Sequence, residues 1–245
     1  MSIDARLSII DKRLNSVRRV IAVVSGKGGV GKTLVSSVLA LTMAKEGLSV
    51  GLLDFDFTGS SCHIVYGLDE IRIVEDKGLI PLETSGVKFM SIEPFTKGSP
   101  LELRGFDVSN IVLEIMANTH WGGLDFLVID MPPSLKEELL DLRRFVGKAE
   151  YLVVYTPSKL VINMAFRLIT LLNGSGASVL GVVENMVRGG LIFGEKVERL
   201  NVKLLARIPF DADVEKAIGK PKRLLETKFA SAIFRLYETI KQTNT

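Results

Sequence analysis

Between Gly26 and Thr33 the chain reads GKGGVGKT, which satisfies G-x-x-x-x-G-K-[ST] without adjustment. Those residue types serve one kind of chemistry. Gly26, Gly28, Gly29 and Gly31, with Val30 between the last two, let the backbone curl until several N–H groups point inward. Such groups and the N-terminus of a following helix form an anion-binding nest. Lys32 places a point charge against the β- and γ-phosphates of a nucleotide, and Thr33 offers its hydroxyl to Mg²⁺. Three carboxylates complete the set. Asp130 ends the apolar run LDFLVID, where an aspartate holds Mg²⁺ directly or through water. Asp54 and Asp56, in LLDFDFTGSS, end a second run. Of a pair two residues apart, one can orient an attacking water while the other supports the metal.

The flanking elements have to bring these groups together. VIAVVS, Val20 to Ser25, is a continuous β-branched run of the kind buried on both faces of a parallel sheet. The loop follows, then a helical segment, LVSSVLALTMAKEG, closed by Gly47. LSVGLLD, LDFLVID, EYLVVYT, SVLGVVE and KLLARI read as further strands, with a helix expected from about Lys159 to Leu172. A short helix near Val214 and a longer one from about Leu225 to Ile240 close the chain. Strands alternating with helices predict a doubly wound, mainly parallel α/β sheet with helices on both faces. In such sheets ligands sit beyond the carboxyl ends of the strands, which is where Asp54, Asp56 and Asp130 fall. Leu7, Ile10, Leu14 and Val17 recur at helical spacing and predict an amphipathic N-terminal helix over residues 1–19, ahead of one domain from 20 to 245. Tyr66 to Arg104 is less regular and reads as a short β insertion, LIPLE and VKFMSI being its strands.

Composition bounds the rest. The 245 residues are 47% hydrophobic, enough for a substantial core, and no apolar run approaches the roughly 18–20 residues that span a bilayer. MSIDARLSII lacks a basic start and a small-residue cleavage site, so a cytoplasmic location is expected. A net charge of +3, with its densest basic cluster at Lys220–Arg223, gives no strong nucleic-acid signal. The single cysteine, Cys62, excludes an intrachain disulfide and any metal or cluster site built only from cysteines of one chain. Cys62 with His63 as a metal site is disfavoured against a buried structural cysteine, and His120, before Trp121, reads as structural.

The longer stretch SGKGGVGKT resembles the deviant Walker A motif of the superfamily that contains MinD, ParA and the nitrogenase iron protein. With LLDFDFTGSS, LRGFDVSNIV, THWGGLDFLVIDMPP, VVENM and IPFDADVEKAIGKP, in that order, the chain is similar to the Mrp or ApbC-like ATPases linked to iron–sulfur cluster assembly and delivery. The resemblance spans about Arg18 to Lys220. It implies a homodimer with ATP sandwiched between subunits, in which Lys27 reaches the partner subunit's phosphates and acts as a finger supplied in trans. It implies that Asp56 and Asp130 are the switch I and switch II aspartates. Asn185 matches the asparagine that reads the adenine edge, a role its amide suits because it offers a donor and an acceptor. Pro209, Phe210 and Asp211 match the wall of the base pocket.

Two departures shape the expectation. Where cluster-carrying members hold a C-x-x-C pair, this chain reads VRGGLI, Val187 to Ile192. After Asp130 it reads MPPSLKEE, with Ser134 in place of a glycine and acidic Glu137 and Glu138 following. The expected protein is therefore a slow, Mg²⁺-dependent ATPase working on a protein client. Lys27, Lys32 and Asp56 are its catalytic groups, and the cluster role is left without its thiolates. The alternatives are a MinD- or ParA-like positioning ATPase and an ATP-dependent regulator. The closing helix does not read as a basic amphipathic tail of the MinD kind, because Ile233, Phe234, Tyr237 and Ile240 recur at helical spacing with few lysines or arginines on an opposing face and read as core-packing.

Overall fold

The computed structural model describes residues 4–57, 59–96, 105–133, 137–189 and 202–243. In chain order the elements are α1 (Ala5–Leu14), β1 (Val17–Val24), α2 (Lys32–Lys45), β2 (Val50–Asp54) and α3 (Cys62–Tyr66). Then come β3 (Val74–Glu75), β4 (Leu79–Ile80), β5 (Leu82–Thr84), β6 (Val87–Ser91), α4 (Glu93–Thr96), α5 (Gly105–Asn118) and β7 (Leu124–Asp130). The remainder is α6 (Glu137–Phe145), β8 (Ala149–Tyr155), α7 (Lys159–Gly174), β9 (Ser178–Val187), β10 (Leu204–Pro209), α8 (Asp213–Ala217), α9 (Pro221–Leu224) and α10 (Lys228–Gln242).

Eight strands form one sheet in the order β10-β9-β8-β1-β7-β2-β6-β5, parallel except for β5 against β6. The centre, β1, β7 and β2, is buried almost throughout, as the unbroken apolar runs demand. From β1 the chain crosses through α2 towards β2, while α6 and α7 carry it the other way, through β8 to β9. Right-handed crossovers in opposite directions put those helices on opposite faces. The direction of travel reverses at β1, and the crevice beyond its carboxyl end is where the loop, Asp54 and Asp130 meet. Register fixes this: Asp130 lies opposite Val23 of β1 and opposite Asp54 of β2.

Two boundaries differ from the sequence reading. The first helix stops at Leu14, and Val17, Arg18 and Arg19 belong to β1. Lys148 causes the stop: its ammonium donates to the carbonyls of Leu14 and Val17, each at 2.5 Å, satisfying the helix end as the strand begins. Ile10 and Leu14 are buried in the common core, and Arg6 ties the helix to α5 through Asn110 and Glu114, both at 2.9 Å. The region read as a β insertion is also different. β6 pairs in parallel with β2 from Val50↔Val87 to Asp54↔Ser91 and is part of the main sheet; among the described residues only β3 and β4 form a separate ribbon. His120 sits structurally, its ring nitrogen 2.8 Å from Arg13 and 3.1 Å from the Lys77 carbonyl.

α10 begins at Lys228, capped by Thr227, whose side chain accepts from Ala230 N–H at 3.1 Å. Its apolar face, including Ile233, Leu236, Tyr237 and Ile240, is buried, but Phe234, expected to pack with them, is 40% exposed because it falls off that face. No helix among the described residues is long and apolar enough to cross a membrane.

Candidate nucleotide site

The loop leaves β1 at Val24 and enters α2 at Lys32. Its glycines do different work. Gly29 and Gly31 take left-handed φ of 78° and 81°, which turn the backbone. A Cβ on Gly26 would lie 2.8 Å from the Met164 carbonyl of α7, so Gly26 is needed for close packing. A Cβ on Gly31 would lie 2.5 Å from Asn185 Nδ2. Gly28 differs from the other three. Its φ is not left-handed, and a Cβ there would meet only Pro133 Cγ, at an ordinary 3.9 Å. The left-handed turns that curl the loop thus fall at Gly29 and Gly31, and at Gly28 neither backbone strain nor crowding within the chain demands glycine.

The two lysines of the loop part company. Lys32 is 5% exposed and its ammonium sits 2.7 Å from Asp130 Oδ1 and 3.9 Å from Asp56 Oδ2. Lys27 is exposed. Asp130, fully buried, also accepts from Ser36 Oγ at 2.9 Å on Oδ1 and from Thr33 Oγ1 at 2.8 Å on Oδ2. Thr33 and Asp130 thus set two hard oxygen ligands side by side, a donor set that fits Mg²⁺. Asp56 is buried beside Lys32, its other oxygen accepting Gly59 N–H at 3.1 Å.

Asp54 is arranged differently. Its Oδ1 accepts Asp56 N–H at 3.1 Å; its Oδ2 accepts Ser60 Oγ at 2.7 Å, Ser61 N–H at 3.1 Å and Cys62 N–H at 3.0 Å. It therefore anchors the turn that carries Asp56 and starts α3. Burial, reinforced by the neighbouring Asp130 charge, pushes its carboxyl up to about 6. Asp54, Asp130 and Cys62 still bring potential ligand atoms within 4.8 Å of one another. The Cys62 sulfur is 3.7 Å from Asp130 Oδ2, and burial, with the two aspartates, pushes its thiol well above the ordinary range.

A second part of the site opens beside α2. A cavity of about 360 Å³ is lined by residues that include Leu34, Asn185, Met186, Pro209, Phe210 and Asp211. Asn185 Nδ2 donates to the Val30 carbonyl at 2.9 Å, which joins this cavity to the phosphate loop and fixes which way the amide points. Its Oδ1 is buried with no partner among the described residues. Asp211 accepts from Asp213 N–H at 3.1 Å and Phe229 N–H at 3.0 Å, so its side chain caps the first turn of α10 while the residue walls the cavity.

The structure brings Lys32, Asp56 and Asp130, all buried, together with the half-buried Thr33 into one constellation, and Asn185 with residues 209–211 into one cavity next to it. Ser36 was not anticipated, although its place one turn beyond Lys32 and Thr33 on the same helix face is a readable signal. Ser60 and Ser61 were not anticipated either. Ser134 lies outside the described residues, as do the side chains of Glu137 and Glu138 and the segment from Gly190 to Ile192.

The family model for ParA, described as NUBPL iron-transfer P-loop NTPase, matches residues 16–244. A curated relative, the iron-sulfur cluster carrier protein of Pseudomonas fragi, is 34% identical over 253 residues, covering 94% of this chain and 86% of the relative. A nucleotide-binding protein from Archaeoglobus fulgidus, solved in complex with ADP, superposes with a TM-score of 0.72 at 30% identity, covering 95% of this chain and 93% of that one. The Pyrococcus furiosus cell division ATPase MinD shares the fold, with a TM-score of 0.70 at 24% identity over 92% of this chain and 99% of that one. The chain belongs to the ParA family that this model describes, NUBPL iron-transfer P-loop NTPase.

Proposed function

We propose that this protein is a Mg²⁺-dependent ATPase that forms a homodimer around ATP and serves iron–sulfur cluster assembly or transfer to a protein client. The observation that carries the nucleotide reading is the buried Oδ1 of Asn185, unpartnered among the described residues, in the wall of the cavity beside the phosphate loop. A buried acceptor without a donor is costly, and it suits a ligand that brings the donor. With Nδ2 committed to Val30, the free oxygen suits the 6-amino group of adenine, whereas guanine presents a carbonyl at that edge.

On this reading Lys32 exchanges Asp130 for the β- and γ-phosphates. Mg²⁺ held by Thr33 and Asp130, the latter directly or through water, would supply charge neutralisation on those phosphates. Asp56 accepts a hydrogen bond from the attacking water and aligns it with the γ-phosphorus. The water oxygen bonds to phosphorus as the bond to the β–γ bridging oxygen breaks, leaving ADP and a phosphate that takes the water's proton. Lys27, exposed on the rim of the loop, reaches the nucleotide of the second subunit. The cluster is cargo held by thiolates outside this chain, since two buried Cys62 side chains cannot supply the four that a bridging cluster needs.

Binding titrations with ATP and GTP in Mg²⁺ test the first step. ATP preference that is lost in Asn185→Leu is expected; equal affinities in the wild type would refute the base assignment. Turnover must fall in Asp56→Ala, and an unchanged rate would remove Asp56 from the chemistry. Anaerobic reconstitution with iron and sulfide should give no stoichiometric chromophore on the isolated protein. A stable one requiring Cys62 would overturn the assignment of the cluster to other thiolates.

A further inference from the structure

We propose that Arg188 is a positioning residue for the nucleotide base: its guanidinium, stacked on Phe210, holds that ring in place as the outer wall of the base cavity. The inference rests on the assignment of that cavity to the base. The Arg188 guanidinium carbon lies 3.7 Å from the centroid of the Phe210 ring. This is stacking distance for a planar cation on an aromatic face. No carboxylate pairs with Arg188 among the described residues, so an ion pair does not explain its placement.

The backbone prepares the pair. Met186, which lines the cavity between Asn185 and Arg188, has a left-handed φ of 57°, a conformation that side-chain-bearing residues adopt at a cost and that concentrates at functional sites. One residue later the Val187 carbonyl accepts the Phe210 N–H at 3.0 Å, which fastens the two strand ends side by side. Phe210 lines the cavity, and among the described residues Arg188 does not, so the guanidinium bears on the ring from outside the cavity lining.

The ring needs that support. It is 45% exposed, and an aromatic side chain held only by the cavity rim must lose rotamer freedom when a base arrives. Stacking by Arg188 fixes the rotamer beforehand. Arginine suits the task because its planar, weakly hydrated fork lies flat on a ring, which a lysine ammonium does not do. Arg188 acts through Phe210 and touches neither the phosphates nor the water.

Calorimetric titration of the full chain with ADP and with pyrophosphate tests this in wild type, Arg188→Ala, Arg188→Lys, Phe210→Ala and the Arg188→Ala/Phe210→Ala double variant. Far-UV circular dichroism confirms folding of each. Arg188→Ala should weaken ADP by about two- to five-fold, the size of an exposed cation–π contact, and leave pyrophosphate unchanged. Arg188→Lys should recover part of the loss, and Arg188→Ala should add nothing once Phe210 is removed. An unchanged ADP affinity in Arg188→Ala, an equal loss for pyrophosphate, or a loss that persists without Phe210 would overturn the proposal. Asn185→Leu separates the two levels. If it weakens ADP while Arg188→Ala does not, only the role of Arg188 fails; if it also leaves ADP untouched, the base cavity is misassigned and both fail.

Discussion

Replacing Asp130 by asparagine removes the charge at the centre of the site and keeps its shape. In the nucleotide-free protein this carboxylate is fully buried and takes hydrogen bonds from Lys32, Ser36 and Thr33 at 2.7, 2.9 and 2.8 Å. Deleting one partner of a buried ion pair costs about 3–5 kcal/mol, because the other charge stays buried without compensation. Two local features pull the cost towards the lower end. Asp56 remains 3.9 Å from the lysine ammonium, and Asp54 loses a like-charged neighbour. We therefore expect Asp130→Asn to lose about 3 kcal/mol. Lys32→Met should lose a similar amount, because Asp130 is then the buried charge left without its partner. Urea unfolding at pH 7.5 without nucleotide measures both, and the double variant closes a cycle whose coupling should be about 2 kcal/mol. On the proposed function the pair also opposes ligand binding, since Lys32 would have to leave Asp130 to meet a phosphate. Asp130→Asn should consequently bind metal-free ADP more tightly than the wild type. A stability loss below about 1 kcal/mol, with coupling near zero, would refute the reasoning, for Lys32 would then not rest on Asp130 in solution.

Three further outcomes are expected. Gly31→Ala should lose about 2–3 kcal/mol, from left-handed backbone strain and the broken Asn185–Val30 bond, and should weaken ADP more than pyrophosphate; a calorimetric titration with near-wild-type ADP affinity would contradict the close approach at Gly31. Gly67, with φ 70°, brings its backbone so close to Gly219 that a Cβ would lie 2.3 Å from the Gly219 carbonyl, so Gly67→Ala should lower the thermal midpoint by several degrees, about 4 °C or more. Asp54 has its carboxyl raised from 3.8 to about 6 in the folded protein, so its stabilising contribution is complete below about 3.8 and disappears as pH rises through 6. Relative to Asp54→Asn, the wild type should therefore lose about 1–2 kcal/mol between pH 5 and pH 7 in urea titrations; a difference independent of pH would show that Asp54 is already ionised at pH 5.

The parts of this protein that local chemistry dictates were readable in advance. β1, β2 and β7 announce themselves as apolar runs, and the loop between β1 and α2 does so by composition. The carboxylates at strand ends follow from the rule that such sheets bind ligands there. What was missed depends on distant partners. Val17 fits the helical spacing of Leu7, Ile10 and Leu14 equally well as it fits a strand, and the deciding group, Lys148, is remote in sequence. VKFMS gives no local sign that it pairs in parallel with β2, so a main-sheet strand read as an insertion. The four loop glycines look equivalent in GKGGVGKT, yet the need for glycine at Gly26 comes from Met164 on a distant helix, while a Cβ on Gly28 would make only an ordinary contact with Pro133. Asp54 and Asp56 look interchangeable in LLDFDFTGSS. Only the folded turn shows that Asp54 accepts four bonds from its own loop while Asp56 faces Lys32. Asn185 carried a motif, yet its unsatisfied oxygen is a three-dimensional fact, as is the stacking of Arg188 on Phe210.

The central claim is that ATP assembles two chains and that Lys27 completes the neighbour's site. Light scattering coupled to gel filtration, on Asp56→Ala to hold ATP intact, tests it directly. With ATP and Mg²⁺ the mass should double relative to ADP, and adding Lys27→Ala should abolish that doubling while calorimetry still registers ATP binding. A mass that is the same with ATP as with ADP, or a Lys27→Ala protein that dimerises normally, would contradict the account.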